Sequence, residues 1–251
     1  VTWRWGNPFD GVTRVEELAP GRLRAFFKTN PDFVKGRTLQ TRNAFRNGCG
    51  SFARNCRDIV WKNCAYYYMH GLGLVNQLCE NLTLDHCWLA PRPGSGRTCT
   101  AWGDCFHVSW AKGKVLVDGC YFFGQHDDPI NIHGNYLRIV EKLADNKIHV
   151  RYMHPQTYGF ACFFPGDEVA VVRGASLKEL SRNKVTAAEM SGEKDMLVTL
   201  AQPLAGALGG NDMLGNISWD SCETIIRNCR AEASPTYGFI VCSLGPTLIE
   251  K

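Results

Sequence analysis

The chain has 251 residues, 45% of them hydrophobic, and a formal net charge of +4, enough for one large domain with a sizeable core. The basic residues form no long run, which argues against a nucleic-acid footprint, and no apolar run reaches the ~18 residues of a membrane span. No Met or basic leader precedes Val1, so no signal peptide is expected there and the compartment is not read directly.

In chain order, residues 1–48 are irregular and are expected to form an N-terminal cap and first coil that covers an open sheet edge. The sequence then repeats. Asp58-Ile-Val-Trp-Lys-Asn-Cys64, Asn81-Leu-Thr-Leu-Asp-His-Cys87, Lys114-Val-Leu-Val-Asp-Gly-Cys120 and Glu223-Thr-Ile-Ile-Arg-Asn-Cys229 share one pattern. Each reads as a short strand ending at a turn, with Cys last. Leu72-Gly73-Leu74, Phe106-His107-Val108, Ile130-Asn131-Ile132 and Phe239-Ile240-Val241 are expected as second strands at matching places. A unit of ~20–30 residues built this way predicts a parallel β-solenoid. A β-sandwich is the rival, but similar residues at matched positions favour stacking. Residues 49–134 then form coils whose equivalent side chains lie ~4.8 Å apart. The twelve cysteines are expected to be mostly buried free thiols in an interior ladder.

Residues 135–216 break the repeat. Four strand-like stretches there, with turn signals at Pro165-Gly166 and Gly209-Gly-Asn-Asp212, predict a small antiparallel β-barrel or sheet inserted between coils. One short helix is expected within residues 173–192. Residues 217–251 return to the coil pattern.

The chemistry concentrates before and within this break. Asp127 and Asp128 stand in His126-Asp-Asp-Pro-Ile-Asn-Ile-His-Gly134, and Asp104 lies 23 residues before Asp127. Aligning Phe106–Val108 with Ile130–Ile132 sets Asp104 opposite Asp128, His107 beside Asn131 and Ser109 beside His133. His70 is expected at the Asp104 position one coil earlier. Alternation turns Phe106, Val108, Ile130 and Ile132 inward and His107, Ser109, Asn131 and His133 outward. The result is a polar strip flanked by Trp102 and Trp110, with Trp102 a candidate sugar platform and Arg97 on an abutting loop. Three carboxylates in one strip repel, so at least one is expected to have a raised pKa and serve as an acid while another activates water. Glycosidic hydrolysis uses such a pair, and one coil of offset fits the wide, ~6.5–9.5 Å inverting gap better than the ~5 Å retaining one. Alternatives stay open: an Asp pair that only caps a turn, or a metal site built from His126, Asp127, Asp128 and His133.

Pro91-Arg-Pro-Gly-Ser-Gly-Arg97, Gly103-Asp-Cys-Phe-His107, His126–Gly134 and Tyr136-Leu-Arg138 together resemble glycoside hydrolase family 110, bacterial exo-acting α-1,3-galactosidases of which some act on blood group B antigens. The likeness runs from about Asn7-Pro8 through the last coil. It implies an all-β, right-handed parallel β-helix with inserted β-barrel material, and inverting hydrolysis with no metal and no cofactor. It places the catalytic carboxylates on Asp104, Asp127 and Asp128; of these, Asp127 is expected to be the general acid, with Asp104 and Asp128 holding the water as base. Trp102, His107, His126, Asn131, His133 and Arg97 are then the substrate-binding candidates, and a glycan ending in α-galactose the partner, with neither nucleic acid nor membrane. Removal of such a galactose implies a secreted or periplasmic bacterial setting. This chain is shorter than family members, and an exposed coil edge would suit a second copy of the chain. Competing readings are a β-helix hydrolase of polygalacturonase type, which favours Gly before the Asp pair where His126 stands, and a non-catalytic glycan-binding solenoid.

Overall fold

The computed structural model describes residues 9–31, 33–36, 38–39, 46–204 and 206–251. Every regular element among them is a strand or bridge; none is a helix. The chain divides into two compact units, residues 1–45 and 46–251. The first holds an antiparallel hairpin of β1 (Val12–Ala19) and β2 (Arg22–Phe27). Part of the expected cap, and the Asn7-Pro8 start of the family likeness, lie outside the described residues.

The second unit opens with β3 (Cys49–Arg54), β4 (Arg57–Lys62), β5 (Ala65–Tyr66), β6 (Leu72–Asp85), β7 (Trp88–Leu89), β8 (Phe106–Asp118), β9 (Tyr121–Phe123) and β10 (Ile130–His133). Six strands follow: β11 (Tyr136–Ala144), β12 (Lys147–Arg151), β13 (Glu168–Val172), β14 (Glu179–Met190), β15 (Asp195–Leu200) and β16 (Met213–Asn216). The chain ends with β17 (Glu223–Arg227), β18 (Arg230–Glu232), β19 (Phe239–Cys242) and β20 (Thr247–Glu250).

Two sheets are wholly parallel. The larger has eight strands, β3, β4, β6, β8, β10, β17, β19 and β20, and the smaller runs β18-β9-β7-β5. The four Cys-ending repeats stack in one register: Ile59 faces Leu82, Leu82 faces Val115, and Leu116 faces Ile225. Their cysteines follow, each backbone carbonyl accepting from the residue after the next Cys: Trp88 N to Cys64 O, Tyr121 N to Cys87 O and Arg230 N to Cys120 O. All twelve cysteines are free; Cys79, Cys87 and Cys120 are among the six buried beside these sheets or in their loops. The core between the sheets is built from the inward alternates, Leu74, Leu82, Leu84, Phe106, Val108, Val115, Val117, Phe122, Ile130 and Ile132. Burying such alternates against a second sheet is the driving force for the stack.

One expected register is corrected. Leu74, not Leu72, faces Phe106. A two-residue slip leaves the same side chains inward, because the strand period is two, so the hydrophobic pattern alone does not separate the two pairings. Gly73 does: a Cβ there would collide with the Cys105 carbonyl, and Gly73 N donates to Asp104 O at 2.7 Å.

The strands from β11 to β16 close an antiparallel barrel in the order β11-β12-β15-β14-β13-β16. Its core includes Leu137, Ile148, Val150, Val169, Val171, Met196, Val198 and Leu214. The short helix expected within residues 173–192 is instead β14, paired with both β13 and β15. Leu180, Lys184, Ala187, Ala188, Glu189 and Met190 are good helix formers, but a barrel lacking this strand would expose two open edges, and closure wins.

Trp110 is a second correction. It does not flank the polar strip. It is fully buried, has φ 61°, and enters the barrel core with Leu78 (φ 52°), against Tyr152 and Phe160 at centroid distances of 6.4 and 5.8 Å. Left-handed backbone at these positions turns β6 and β8 and swings one large side chain from each out of the sheet.

Candidate active site

Parallel pairing of β10 with β8 sets Ile130 opposite Phe106 and His133 opposite Ser109. Two residues before each strand, Asp104 and Asp128 therefore stand level. Cys105 N donates to Asp128 O (2.9 Å) and Phe106 N to Pro129 O (3.0 Å), which fixes the level. Asp104, Asp127 and Asp128 each present an oxygen within 4.8 Å of the other two. These nearest oxygens are closer than the ~6.5–9.5 Å expected between an inverting pair, and the Asn131 amide bridges two of the three acids, Asp104 and Asp128.

Each acid has distinct company. Asp104, buried, receives three groups: the His107 ring Nδ1 lies 2.7 Å from Oδ2, Asn131 Nδ2 donates to Oδ2 at 3.1 Å, and Asp128 N donates to Oδ1 at 3.2 Å. Burial pushes its pKa up, but hydrogen bonds and charge from His107, with the Asp128 and Asn131 donors, bring it below the ordinary carboxylate value. Asp128 moves the other way: burial raises it, a hydrogen bond from Thr236 opposes, and the charges of Asp104 and Asp127 add to the rise. Thr236 Oγ1 donates to Asp128 Oδ1 at 2.7 Å. Asp127 is ion-paired with Arg46, and its side chain keeps 23% exposure against 4% for Asp104.

Asn131 also reaches Asp128 Oδ2 at 3.5 Å. His133 stands edge-on to His107, centroids 5.0 Å apart, with Nδ1 2.8 Å from Gly134 O. Burial first, then the charge of His107, brings its pKa down to about 4. His126 is buried next to Asp127, its backbone N donating to Ala101 O at 2.9 Å. Trp102 is half-buried, and its ring lies 4.4 Å from that of His70. His70 is thus level with Trp102, two residues away from its expected place, as the register correction requires. Arg97 is not brought to the acids; it is exposed and lies over the Tyr68 ring at 5.0 Å.

Sequence reasoning missed Arg46 and Thr236. Arg46 carries no motif. Thr236 lies in the turn of residues 233–238, whose approach follows from stacking of β19 on β10, Ile130 facing Phe239. That pairing was legible, and would have led to the turn.

Residues 147–214 match the model of the GLAA-B beta-barrel domain II family. The chain is 39% identical to alpha-1,3-galactosidase A of Akkermansia muciniphila over 96% of its own length and 40% of that protein. It is 36% identical to alpha-1,3-galactosidase A of Bacteroides thetaiotaomicron over 100% of its length and 44% of the relative. The chain belongs to the alpha-1,3-galactosidase A and B family. It also matches the Streptomyces avermitilis alpha-1,3-galactosidase A at 34% identity over 99% of its length and 41% of that protein. The chain therefore spans about two-fifths of the length of these relatives. Within this alpha-1,3-galactosidase family member, the barrel strands β12 to β16 overlap the matched domain and the acid trio lies on the parallel strands beside it.

Proposed function

We propose that the protein is an exo-acting glycoside hydrolase that removes terminal α-1,3-linked galactose from glycans, blood group B-like ends included. The observation that carries this is the convergence of Asp104, Asp127 and Asp128 on one patch, in a chain related to proteins named alpha-1,3-galactosidase. We read the parallel sheets as faces of a right-handed β-helix, with coils over 49–134, a barrel insert over 135–216 and a last coil over 217–251.

In this reading Asp104 is the ionised base. Its lowered pKa and near-complete burial suit a carboxylate that holds water. Asp128, tied to it through Asn131 and its own N–H, completes the water site. Asp127, the most exposed of the three, faces the leaving group as general acid, and its ion pair with Arg46 opens before it carries a proton. Both oxygens of Asp104 are occupied by donors, which weakens it as a nucleophile and supports inversion; we propose that the reaction runs without metal or cofactor, although the three carboxylates are close enough to hold a cation. The close packing of the trio favours a second reading, retention through a covalent intermediate. Trp102, His107, His126, Asn131 and His133 line the sugar's surroundings. A glycan substrate fits a secreted or periplasmic setting.

The test is galactose release from α-1,3-linked digalactoside, with EDTA present, followed by anomer-resolved NMR. Release with β-galactose formed first is expected; α-galactose first would select retention, and no turnover would sink the hydrolase reading. Asp104→Asn should lower kcat by about 10³-fold or more, within the range of paired acid–base contributions. Asp127→Asn should lose most on the digalactoside and least on α-galactosyl fluoride, whose leaving group needs little protonation. If Asp128→Asn shows that selectivity instead, the acid is Asp128.

A further inference from the structure

The turn before β19 repeats the turn before β10. Pairing of β9 with β18 sets Phe123 opposite Glu232, and pairing of β10 with β19 sets Ile130 opposite Phe239. The residues between, 124–129 and 233–238, therefore match one to one. Both turns open on left-handed backbone, Gly124 at φ 74° and Ala233 at φ 53°, and both bend at the same positions. Tyr237 thus stands where Asp128 stands one rung earlier and Asp104 one rung before that, with ~4.8 Å between successive backbones. Polar contacts pin the level: Thr236 Oγ1 donates to Asp128 Oδ1 at 2.7 Å, and Ser234 Oγ donates to Tyr237 O at 2.6 Å and approaches Asp127 O at 3.3 Å. Cys105 N donates to Asp128 O, but Pro129 has no N–H to offer Tyr237 O, and Ser234 fills that acceptor instead.

We infer that Tyr237 is a further substrate-binding residue, its ring the platform on which the apolar face of the terminal galactose packs; this rests on the hydrolase reading above. Asp104 and Asp128 are buried, whereas Tyr237 is 65% exposed, so the strip passes from buried acids to an open aromatic ring on the next rung. A pyranose is about as wide as one rung, and one held by the carboxylates reaches that ring. Galactose suits it. The axial 4-hydroxyl leaves the C–H groups of C3, C4 and C5 together on the opposite side, an apolar patch within a polar rim. Tyrosine offers a flat apolar body with a polar tip. Trp102, the platform expected from the sequence, is half-buried with its ring 4.4 Å from that of His70, which leaves less of its surface for a sugar.

The test compares the parent with Tyr237→Ala and Tyr237→Phe on α-1,3-linked digalactoside and on α-galactosyl fluoride. Both substrates carry the galactose that meets the platform. Tyr237→Ala should therefore raise KM on both by about tenfold, near the upper worth of an aromatic contact, while Tyr237→Phe stays close to the parent and Tm is unchanged in both variants. Should Tyr237→Ala fail to fold, Tyr237→Leu, which keeps apolar bulk without a flat ring, takes its place. No change in KM, a loss on the digalactoside alone, or a Phe variant as weak as the Ala variant overturns the inference. If the parent protein hydrolyses neither substrate, the hydrolase reading fails separately. Calorimetric titration with galactose then decides: weaker binding by the Ala variant alone supports the platform, and equal binding by all three proteins, or none by the parent, overturns it.

Discussion

Asn131 ties two acids together with one amide, reaching Asp104 at 3.1 Å and Asp128 at 3.5 Å. Its loss leaves two buried carboxylates nearer to free repulsion, so Asn131→Ala should lower kcat by about 10–100-fold and shift the pH profile, while Asn131→Asp should be worse than Ala because it adds a fourth like charge. A purely structural residue would change Tm without moving the profile. His133 makes a separate, spectroscopic prediction. Its pKa near 4 keeps the ring neutral through pH 5–8, so its NMR shifts should stay flat until pH falls toward 4. The unfolded ring protonates nearer 6.5, so stability owed to this site is intact above that value and is lost progressively as pH falls to 4. At this scale Asp104, Asp127, Asp128, His107, Asn131 and His133 were legible, because strand alternation and the repeat together decide which side chains share a strip. Arg46 was not, since it reaches Asp127 from a segment with no repeat. Arg97 was misplaced, because loop composition does not say which way a loop folds, and a nearby Tyr68 ring holds it.

Two elements, β6 and β8, belong to both cores. Through Leu78 and Trp110 they send apolar bulk into the barrel while their other residues fill the space between the parallel sheets. Trp110→Ala should therefore cost about 3–5 kcal/mol, the range for a large aromatic removed from a closed core. Calorimetry should also show the single unfolding transition broaden or split as the barrel loses its anchor. A decrease below ~1 kcal/mol with one sharp transition would mean that the barrel is held elsewhere. The Cys ladder was readable from spacing, and so was the register of the Cys-ending strands. The turns of β6 and β8 were not: nothing in Leu78 or Trp110 announces a positive φ, which tertiary packing imposes on residues that resist it. The lost helix at β14 has the same cause, local preference overruled by the need to close a barrel.

Across the molecule, the chain leaves the parallel strands at Gly134 and returns at Asp220, and the two meet: a Cβ on Gly134 would collide with the Asp220 carboxylate. Burial first, opposed by hydrogen bonds from Ser243 and the Gly134 and Leu244 backbone, pushes the Asp220 pKa up to about 7. A raised carboxyl pKa contributes stability that is fully present below ~4 and is lost as pH climbs through 7. Asp220→Asn should thus be less stable than, or equal to, the parent at pH 4 and gain on it by roughly 2–4 kcal/mol by pH 8, read as the Tm difference against pH. A difference that does not change with pH would remove Asp220 from the pH response. The parallel stacking was legible from the repeat, whereas this clasp was not, because it joins residues on either side of the insert that no periodicity links. The level pairing of β8 and β10 has a last consequence, for what lengths of chain can be edited. The spacing from Asp104 to β8 works as a gauge: one residue inserted between Asp104 and Phe106 would turn Asp104 to the opposite side of the strand, away from the Asp pair. Residues added to the exposed loop of 92–97 lie outside that interval and leave the gauge reading the same.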